Sequence, residues 1–251
     1  MILAGGPPSG PRSSMRIAVD AMGGDFAPQA IVEGALMALR SCPDIERLFL
    51  VGDEAAVRAE VARGGGDPGR LEIRHAAEVV GMGEPAAAGV RRKRDASINR
   101  AMDLVKAGEA DAVFAAGNTG AAVAAAMLKL RTLENVRRPG IAIAMPTPAD
   151  KPVVLIDAGA TPDCSPEILM QFAIMGAAYS RKVLGQPDPK VGLMSVGSEE
   201  AKGNALSKEA YELLEQAPVR FKGNVEGHDL FEGDRSEEHT SELQSPRCIS
   251  Y

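Results

Sequence analysis

The sequence predicts an α/β fold in which a mostly parallel sheet carries helices on both of its faces. Short apolar runs with the period of a strand alternate along the chain with longer segments that have the period of a helix. Several of these runs end at glycine-rich turns, as parallel strands do when they pass directly into a helix. With 45% hydrophobic and 25% charged residues among 251, the chain has the composition of a globular protein, and its length suits one large domain.

The first predicted strand covers residues 15–21, and the glycine pair Gly23-Gly24 follows it almost directly. Adjacent glycines permit positive φ and let a ligand approach bare backbone, and Pro28 is suited to begin the next helix. The apolar face of that helix consists of Ile31, Ala35, Leu36 and Leu39. By itself this segment is equally compatible with a tight turn that binds nothing.

A second strand at residues 48–51 leads through Gly52-Asp53 into a helix that ends near residue 63. Residues 78–95 carry glycines, a proline and the basic run Arg91-Arg92-Lys93-Arg94, and we expect a mobile connection over the sheet edge, suited to a lid or a partner contact. Apolar residues spaced as in a helix then predict a helix that ends at Gly108.

The second glycine turn, Gly117-Asn118-Thr119-Gly120, joins a strand at residues 111–116 to an apolar helix at residues 121–130. Asn118 or Thr119 is suited to cap this helix, and the glycines leave space above its free N–H groups. The positive end of a helix favours phosphate or a developing oxyanion.

Two further strands end in the same way. Residues 152–157 lead into Ala158-Gly159-Ala160-Thr161, and residues 190–197 lead into a turn with Glu199, Lys202 and Gly203. Between them, Ser165-Pro166-Glu167 predicts the start of a helix that ends near Gly185. Open α/β sheets bind ligands outside the carboxyl ends of their strands, so four such turns predict one shared anion site.

Charge and cysteine content exclude several classes of function. The formal net charge of −6 argues against nucleic acid, because binding to a phosphate backbone needs a basic face. Three cysteines without metal-ligand or disulfide spacing indicate a reduced, cytoplasmic protein without a metal site. No apolar run approaches the roughly 18 residues that predict a membrane-spanning helix.

Both ends of the chain look foreign to the rest. We expect residues 1–14, rich in Pro, Gly and Ser, to be a disordered leader upstream of a natural start at Met15. Residues 235–251 look like one reading frame of a sequencing adaptor, and we expect them to be disordered and to make few buried contacts. The domain proper is then residues 15–234, which we expect to be incomplete.

The segments AVDAMGGDFAP, RRKRDASINRAMDLV, AGNTGA, IDAGA, VGSEEAKGN and GNVEG together resemble the bacterial phosphate acyltransferases of phospholipid synthesis. The resemblance implies a Rossmann-like three-layer α/β/α fold, shared with isopropylmalate dehydrogenases, and a homodimer without a cofactor. It also implies transfer of a long acyl chain from acyl-carrier protein to inorganic phosphate, with peripheral membrane contact. Two departures are Ala115-Ala116, where the family usually has Ser before the turn, and Thr161, where Asn is usual.

Acyl transfer to phosphate needs no enzyme nucleophile, because phosphate itself attacks the thioester, so the protein has to hold phosphate and stabilise an oxyanion. We expect Lys202 and Asn118 to be catalytic. The expected substrate-binding residues are Asp20, Gly23, Gly24, Asp25, Lys93, Thr119, Gly120, Asp157 and Glu199. Glu199 fits either the leaving thiol or a helix cap. Arg91, Arg92 and Lys93 are expected to steer the acidic carrier protein.

Two functions from other classes compete with this prediction. A nucleotide- or nicotinamide-dependent enzyme would carry GxGxxG or GxxxxGK[ST] at a strand–helix junction, and neither motif occurs at such a junction in this sequence. The other is a truncated, non-catalytic fragment that only binds carrier protein or phosphate. An assay for acyl phosphate distinguishes this fragment from an enzyme.

Overall fold

A computed structural model describes residues 14–66, 69–148, 151–161, 163–197 and 202–229, together with the backbone of residues 2–3 and 247–250. The chain divides into two compact units, Met1–Leu133 and Glu134–Tyr251. The sequence predicted one domain without a linker. The division falls between α5 (Thr119–Lys129) and β6 (Ala142–Met145), in a short polar segment that lacks the Gly/Ser-rich composition of a typical linker.

The first unit contains a five-stranded sheet with the strand order β1-β5-β2-β3-β4. Its remaining elements are, in chain order, β1 (Ile2–Leu3), β2 (Met15–Asp20), α1 (Gln29–Ser41), β3 (Ile45–Gly52), α2 (Glu54–Gly64), β4 (Leu71–His75), α3 (Ala86–Arg92), α4 (Ser97–Lys106) and β5 (Ala112–Ala115). The four strands β5, β2, β3 and β4 are parallel. Only β1, at the edge of the sheet, is antiparallel, and its backbone pairs with β5.

Helices cover both faces of this sheet. On one face Leu50 packs in a cluster with Leu36 and Val57, from α1 and α2. On the other face Phe49 and Val113 pack in a cluster that includes buried residues of α4 and α5. Successive side chains of a strand point to opposite faces, so Phe49 and Leu50 serve different layers. The predicted three-layer arrangement with a mostly parallel sheet is confirmed.

The segment between β4 and α4, for which the sequence predicted a mobile connection, is hydrogen-bonded within the first unit, and its mobility stays a prediction. It contains α3, and its two ends are joined by hydrogen bonds from Ala77 N–H to Asp95 Oδ2 (2.9 Å) and from Asp95 N–H to Glu78 Oε2 (3.1 Å). Buried Asn99 donates through Nδ2 to the carbonyls of Val90 (2.9 Å) and Lys93 (2.7 Å). These long-range bonds hold the segment in place, and local composition gave no sign of them.

The second unit contains a mixed sheet with the order β6-β7-β10-β8-β9. Its elements after β6 are β7 (Val153–Ile156), α6 (Pro166–Lys182), β8 (Lys190–Met194), α7 (Ala205–Glu215), β9 (Arg220–Val225) and β10 (Arg247–Ser250). β8 and β9 are parallel, and β6 is antiparallel to β7. Phe172 and Leu169 of α6 are fully buried in a cluster with Leu193 and Leu214, which places α6 and α7 in the core beside the sheet.

The terminal segments differ in part from the expectation that they take no part in the fold. The backbone of β10 pairs antiparallel with both β7 and β8. β7 and β8 each offer an edge whose N–H and C=O groups need partners, and an extended segment satisfies both edges at once. The expectation of few buried contacts for residues 235–251 includes Leu243, which lies outside the described residues.

Among the residues that the structure describes, no helix combines the length and the apolar character needed to cross a membrane.

Candidate functional site

The first two glycine turns come together at the carboxyl edge of the sheet in the first unit. A Cβ atom on Gly117 would lie 2.9 Å from the Cα of Gly23, and one on Gly23 would lie 3.0 Å from the backbone N of Gly117. The two backbones therefore touch, and only glycine fits at either position. Gly24 has φ +116°, as the sequence predicted, and Asp25 beside it is exposed.

Asp20, at the end of β2, is buried, and its side chain is hydrogen-bonded to the first turn. Its Oδ1 accepts a hydrogen bond from Met22 N–H (3.2 Å). Burial raises the pKa of the Asp20 carboxyl, and the Ser97 hydroxyl and the N–H groups of Met22 and Gly23 oppose this effect. Asp20 therefore holds the turn, and its expected contact with substrate stays a prediction. The contribution of Ser97 could not be read from the sequence.

The Asn118 side chain is fully engaged within the first unit. Its Oδ1 caps α5 by accepting from Ala121 N–H (3.0 Å). Its Nδ2 donates to the carbonyls of Gly81 (3.3 Å), Met82 (3.1 Å) and Glu84 (3.1 Å). The side chain of Asn118 therefore positions the neighbouring segment, because three carbonyl groups distant in sequence use its N–H donors. The catalytic role expected of this residue stays a prediction.

The groups of the second turn that are suited to bind an anion are its backbone N–H groups. Among the described residues, the N–H groups of Thr119 and Gly120 have no hydrogen-bond partner, and both residues are exposed. A Cβ on Gly120 would lie 3.0 Å from Ala86 Cβ, so α3 begins directly beside the start of α5. The predicted backbone donors are thus present at the positive end of an eleven-residue helix.

Lys93 forms hydrogen bonds within the first unit, and the substrate contact expected of it stays a prediction. Its Nζ donates to the Val79 carbonyl (2.6 Å) and to Glu84 Oε2 (2.7 Å), and Arg92 pairs with the same carboxylate. The hydrogen bond from Lys93 holds the pKa of Glu84 below its usual range. Arg91 and Arg94, the outer members of the basic run, are exposed.

In the second unit, Asp157 follows β7 and is buried. Its Oδ1 accepts from Ile141 N–H (2.7 Å) and its Oδ2 from Thr161 N–H (2.7 Å). A carboxylate with both oxygens bonded to backbone fixes the turn that follows its strand. Thr161 takes part in this contact through its backbone, so the difference from the usual Asn leaves the contact intact.

The fourth turn joins β8 to α7, also in the second unit. Ser195 follows β8 and is 7% exposed, and its Oγ has no hydrogen-bond partner among the described residues. Gly203 has φ +98°, and a Cβ atom there would lie 2.9 Å from Ser195 Oγ. Asn204 caps α7 through Ser207 N–H (2.9 Å). Lys202 is exposed, and Glu199 lies outside the described residues.

The GNVEG segment ends β9 beside this turn. Glu226 N–H donates to Asp229 Oδ2 (2.8 Å), and His228 Nε2 lies 3.6 Å from Asp229 Oδ1. Glu226 Oε2 and His228 Nδ1 are buried without hydrogen-bond partners among the described residues. Sequence reasoning did not select Ser195, Glu226 or Asp229, although Ser195 and Glu226 directly follow apolar strands, the position from which the other candidates were chosen.

The structure therefore brings Gly23 and Asn118 together in the first unit and places Asp157 and Lys202 in the second. Convergence of all four on one anion stays a prediction. In the described part of the chain, no group of three or more His, Cys, Asp or Glu side chains is arranged to hold a metal ion.

Comparison with known proteins extends these observations. Residues 15–236 match the family model described as "Fatty acid synthesis protein". The chain is 48% identical over 220 residues to a protein of Pelotomaculum thermopropionicum named phosphate acyltransferase, covering 88% of this chain and 63% of that one. A protein of the same name from Geobacter sulfurreducens is 48% identical over 221 residues, covering 87% and 62%. The chain thus spans less than two thirds of the length of these relatives.

Two solved structures share the fold. A phosphotransacetylase from Streptococcus pyogenes matches with a TM-score of 0.62 at 16% identity, over 85% of this chain and 68% of that one. The EutD phosphotransacetylase from Staphylococcus aureus matches with a TM-score of 0.59 at 18% identity, over 86% and 69%.

Proposed function

The chain belongs to the family of fatty acid synthesis proteins, and from this premise we propose that it is an acyltransferase acting on phosphate. In the proposed reaction a fatty acyl group passes from acyl-carrier protein to inorganic phosphate, which yields an acyl phosphate for phospholipid synthesis. The observation that carries the proposal is the match over residues 15–236, which includes all four glycine turns. The relatives at 48% identity that are named phosphate acyltransferase support it.

The proposed chemistry uses groups that the two units present. A phosphate oxygen attacks the thioester carbonyl, a tetrahedral oxyanion forms, and the C–S bond breaks as the thiol leaves with the electron pair and a proton. Backbone N–H groups at the start of α5, in the first unit, and the Lys202 ammonium, in the second, are each suited to bind an anion or a developing charge. The proposal assigns no cofactor and no covalent enzyme intermediate.

The proposed partner is an acidic carrier protein. Arg91 and Arg94 are exposed, whereas Lys93 and Arg92 are paired with Glu84. Exposed positive charge steers an acidic partner and accelerates its association. We further propose that the protein is a cytoplasmic homodimer with peripheral membrane contact.

A second candidate function is binding without turnover. It is favoured by one observation, that the chain spans only 63% and 62% of the lengths of two relatives. In that case the chain binds phosphate or carrier protein, and the residues that complete the reaction lie in the part of the relatives that it does not cover.

Trapping of acyl phosphate with hydroxylamine tests both candidates. The 251-residue chain and a chain with the relatives' full length are incubated with acyl-carrier protein thioester and phosphate. Product from both chains supports the enzyme, product from the longer chain alone supports the binding fragment, and product from neither contradicts the proposed reaction.

In whichever chain is active, Lys202→Ala is expected to lower turnover by roughly 100- to 1,000-fold, the loss typical of one oxyanion donor. Lys208→Ala, which removes a charge from an exposed position of α7, is the matched control. Unchanged turnover with a raised KM for the carrier protein alone would contradict the assignment of Lys202 to the reacting centre.

A further inference from the structure

We propose that Ser195 and the N-terminus of α7 form a phosphate-binding site within the second unit, with Lys202 as its cationic contact. The identity of the anion rests on the proposed function. The site itself rests on the geometry of the turn between β8 and α7.

The first observation is the unsatisfied hydroxyl of Ser195. The backbone N–H of Ser195 donates to the Val225 carbonyl (2.9 Å), which holds the residue at the end of β8. Its side chain is buried, yet Oγ has no hydrogen-bond partner among the described residues. Buried hydroxyl groups are nearly always paired, so one without a partner points to a ligand that completes it.

The second observation is that this hydroxyl lies close to the start of α7. A Cβ on Gly203 would lie 2.9 Å from Ser195 Oγ and closer still to Ser207 Oγ, so both hydroxyls lie beside the residue just before the cap of the helix. The backbone of Gly203, at φ +98°, has a conformation that residues with a Cβ rarely adopt. Glycine therefore permits the turn and leaves room for the hydroxyls of Ser195 and Ser207.

The helix supplies further donors. Asn204 Oδ1 caps α7 by accepting from Ser207 N–H. The N–H groups of Ala205 and Leu206, the first two residues of the helix, have no partner among the described residues. Free N–H groups at the positive end of an eleven-residue helix bind anions. Lys202, two residues before the cap, is exposed and has no ion pair with a described residue.

The turn before α5 differs in its side chains, because none of its described residues has a buried hydroxyl without a partner. Asn118 directs its N–H groups to three carbonyls, and Thr119 is exposed. Of the two turns, the one before α7 combines a buried hydroxyl, free N–H groups and an ammonium group. Phosphate binding is therefore assigned to the second unit.

A buried carboxylate next to this site determines which anion fits. Met194 pairs with Val225 in the β8–β9 register, so Ser195 and Glu226 follow side by side. Glu226 Oε2 is buried without a partner among the described residues. A carboxylate repels sulfate, which carries no proton at neutral pH, but it accepts a hydrogen bond from the P–OH group of hydrogenphosphate. The site is thus expected to prefer phosphate over sulfate.

Calorimetric titration of the 251-residue chain with inorganic phosphate tests the site without requiring turnover. Ser195→Ala is expected to weaken binding by roughly 10- to 100-fold, as for the loss of one hydrogen bond to a charged group. Lys202→Met is expected to weaken it as well. Lys208→Met removes a charge of the same helix away from the site, and binding is expected to remain unchanged.

Thermal unfolding separates a binding role from a structural one. Without phosphate, Ser195→Ala is expected to unfold at the same or a higher temperature, because it removes an unpaired buried hydroxyl. With phosphate, it is expected to lose the upward shift that the unaltered chain shows. A purely structural serine would instead lower the unfolding temperature in both conditions.

Several outcomes would overturn the inference. The unaltered chain could bind no phosphate at millimolar concentration, Ser195→Ala could bind it normally, or Lys208→Met could weaken binding as much as Lys202→Met. Equal binding of sulfate would overturn the role of Glu226. A chain that binds phosphate through Ser195 but forms no acyl phosphate would contradict the proposed reaction alone.

Discussion

Asn118 uses both polar atoms of its side-chain amide within the first unit. Its oxygen caps α5, and its nitrogen donates to three carbonyls of residues 81–84. The amide therefore links two parts of the first unit. One is the glycine turn with the N–H groups of Thr119 and Gly120, and the other is the segment that carries the basic run. A residue type favoured at helix caps and anion sites alike thus has a positioning role.

Asn118→Asp separates the two halves of this role, because Asp keeps the cap but loses the donors and faces three carbonyl oxygens. We expect the free energy of unfolding to fall by about 1–3 kcal/mol, measured by urea denaturation. Asn204→Asp, at the cap of α7 where the described structure shows no carbonyl partners for the amide, is the matched control and should be nearly neutral. Equal effects of the two substitutions would show that only the caps matter.

Asp20 is expected to make stability depend on pH in an unusual direction. Because burial raises the pKa of its carboxyl in the folded state, the folded protein binds the proton more readily than the unfolded chain does. Between the ordinary aspartate pKa of 3.8 and the raised pKa of the folded state, the contribution of Asp20 to stability therefore falls as pH rises. Asp20→Asn should remove this contribution, seen as a difference in pH slope between the two proteins in urea denaturation. Identical slopes would contradict the direction of the shift.

At the scale of the element, α3 and its flanking loops form a hydrogen-bonded segment. Its basic residues have two different roles. Lys93 and Arg92 share Glu84, so they hold the segment together. Arg91 and Arg94 are exposed and are available to a partner. The four adjacent basic residues are indistinguishable in the sequence. The position of Glu84 in the structure shows which two of them form ion pairs with it.

The double substitution Arg91→Ala with Arg94→Ala should slow association with an acidic carrier protein and reduce its salt dependence, while the unfolding temperature stays the same. Lys93→Met should lower the unfolding temperature, because it removes the bonds to Glu84 and to the Val79 carbonyl. Stopped-flow association at several salt concentrations and thermal unfolding check the two effects. If Lys93→Met alone changed association, the assignment of the charges would be reversed.

At the scale of the whole molecule, the two units differ in how their sheets are completed. The first sheet is parallel except for β1 at its edge. In the second sheet, β10 lies between β7 and β8 and pairs with both. The central position of the second sheet is therefore occupied by a segment that the sequence gave no reason to expect there.

Removal of residues 235–251 tests this arrangement. Because β7 and β8 would lose the hydrogen bonds that β10 supplies, we expect the second unit to become less stable by about 1 kcal/mol or more, while the first unit is unchanged. Hydrogen exchange resolved by residue measures both units in one experiment. Unchanged protection in β7 and β8 would agree with the expectation that these residues take no part in the fold.

The sequence by itself determined the alternation of strands and helices, the cap at Ser165, Asn118 as one of two candidates for the cap of α5, and the glycine turns at the strand ends. These features depend on local chemistry, on side-chain period and on the need for positive φ, which neighbouring residues specify. Only the tertiary structure decided which polar groups remain available to bind a ligand. Asn118 and Lys93 are engaged by carbonyls and carboxylates that lie far away in sequence, whereas Ser195 is buried without a partner among the described residues. Availability depends on what long-range packing brings within hydrogen-bonding distance, and local sequence does not record it.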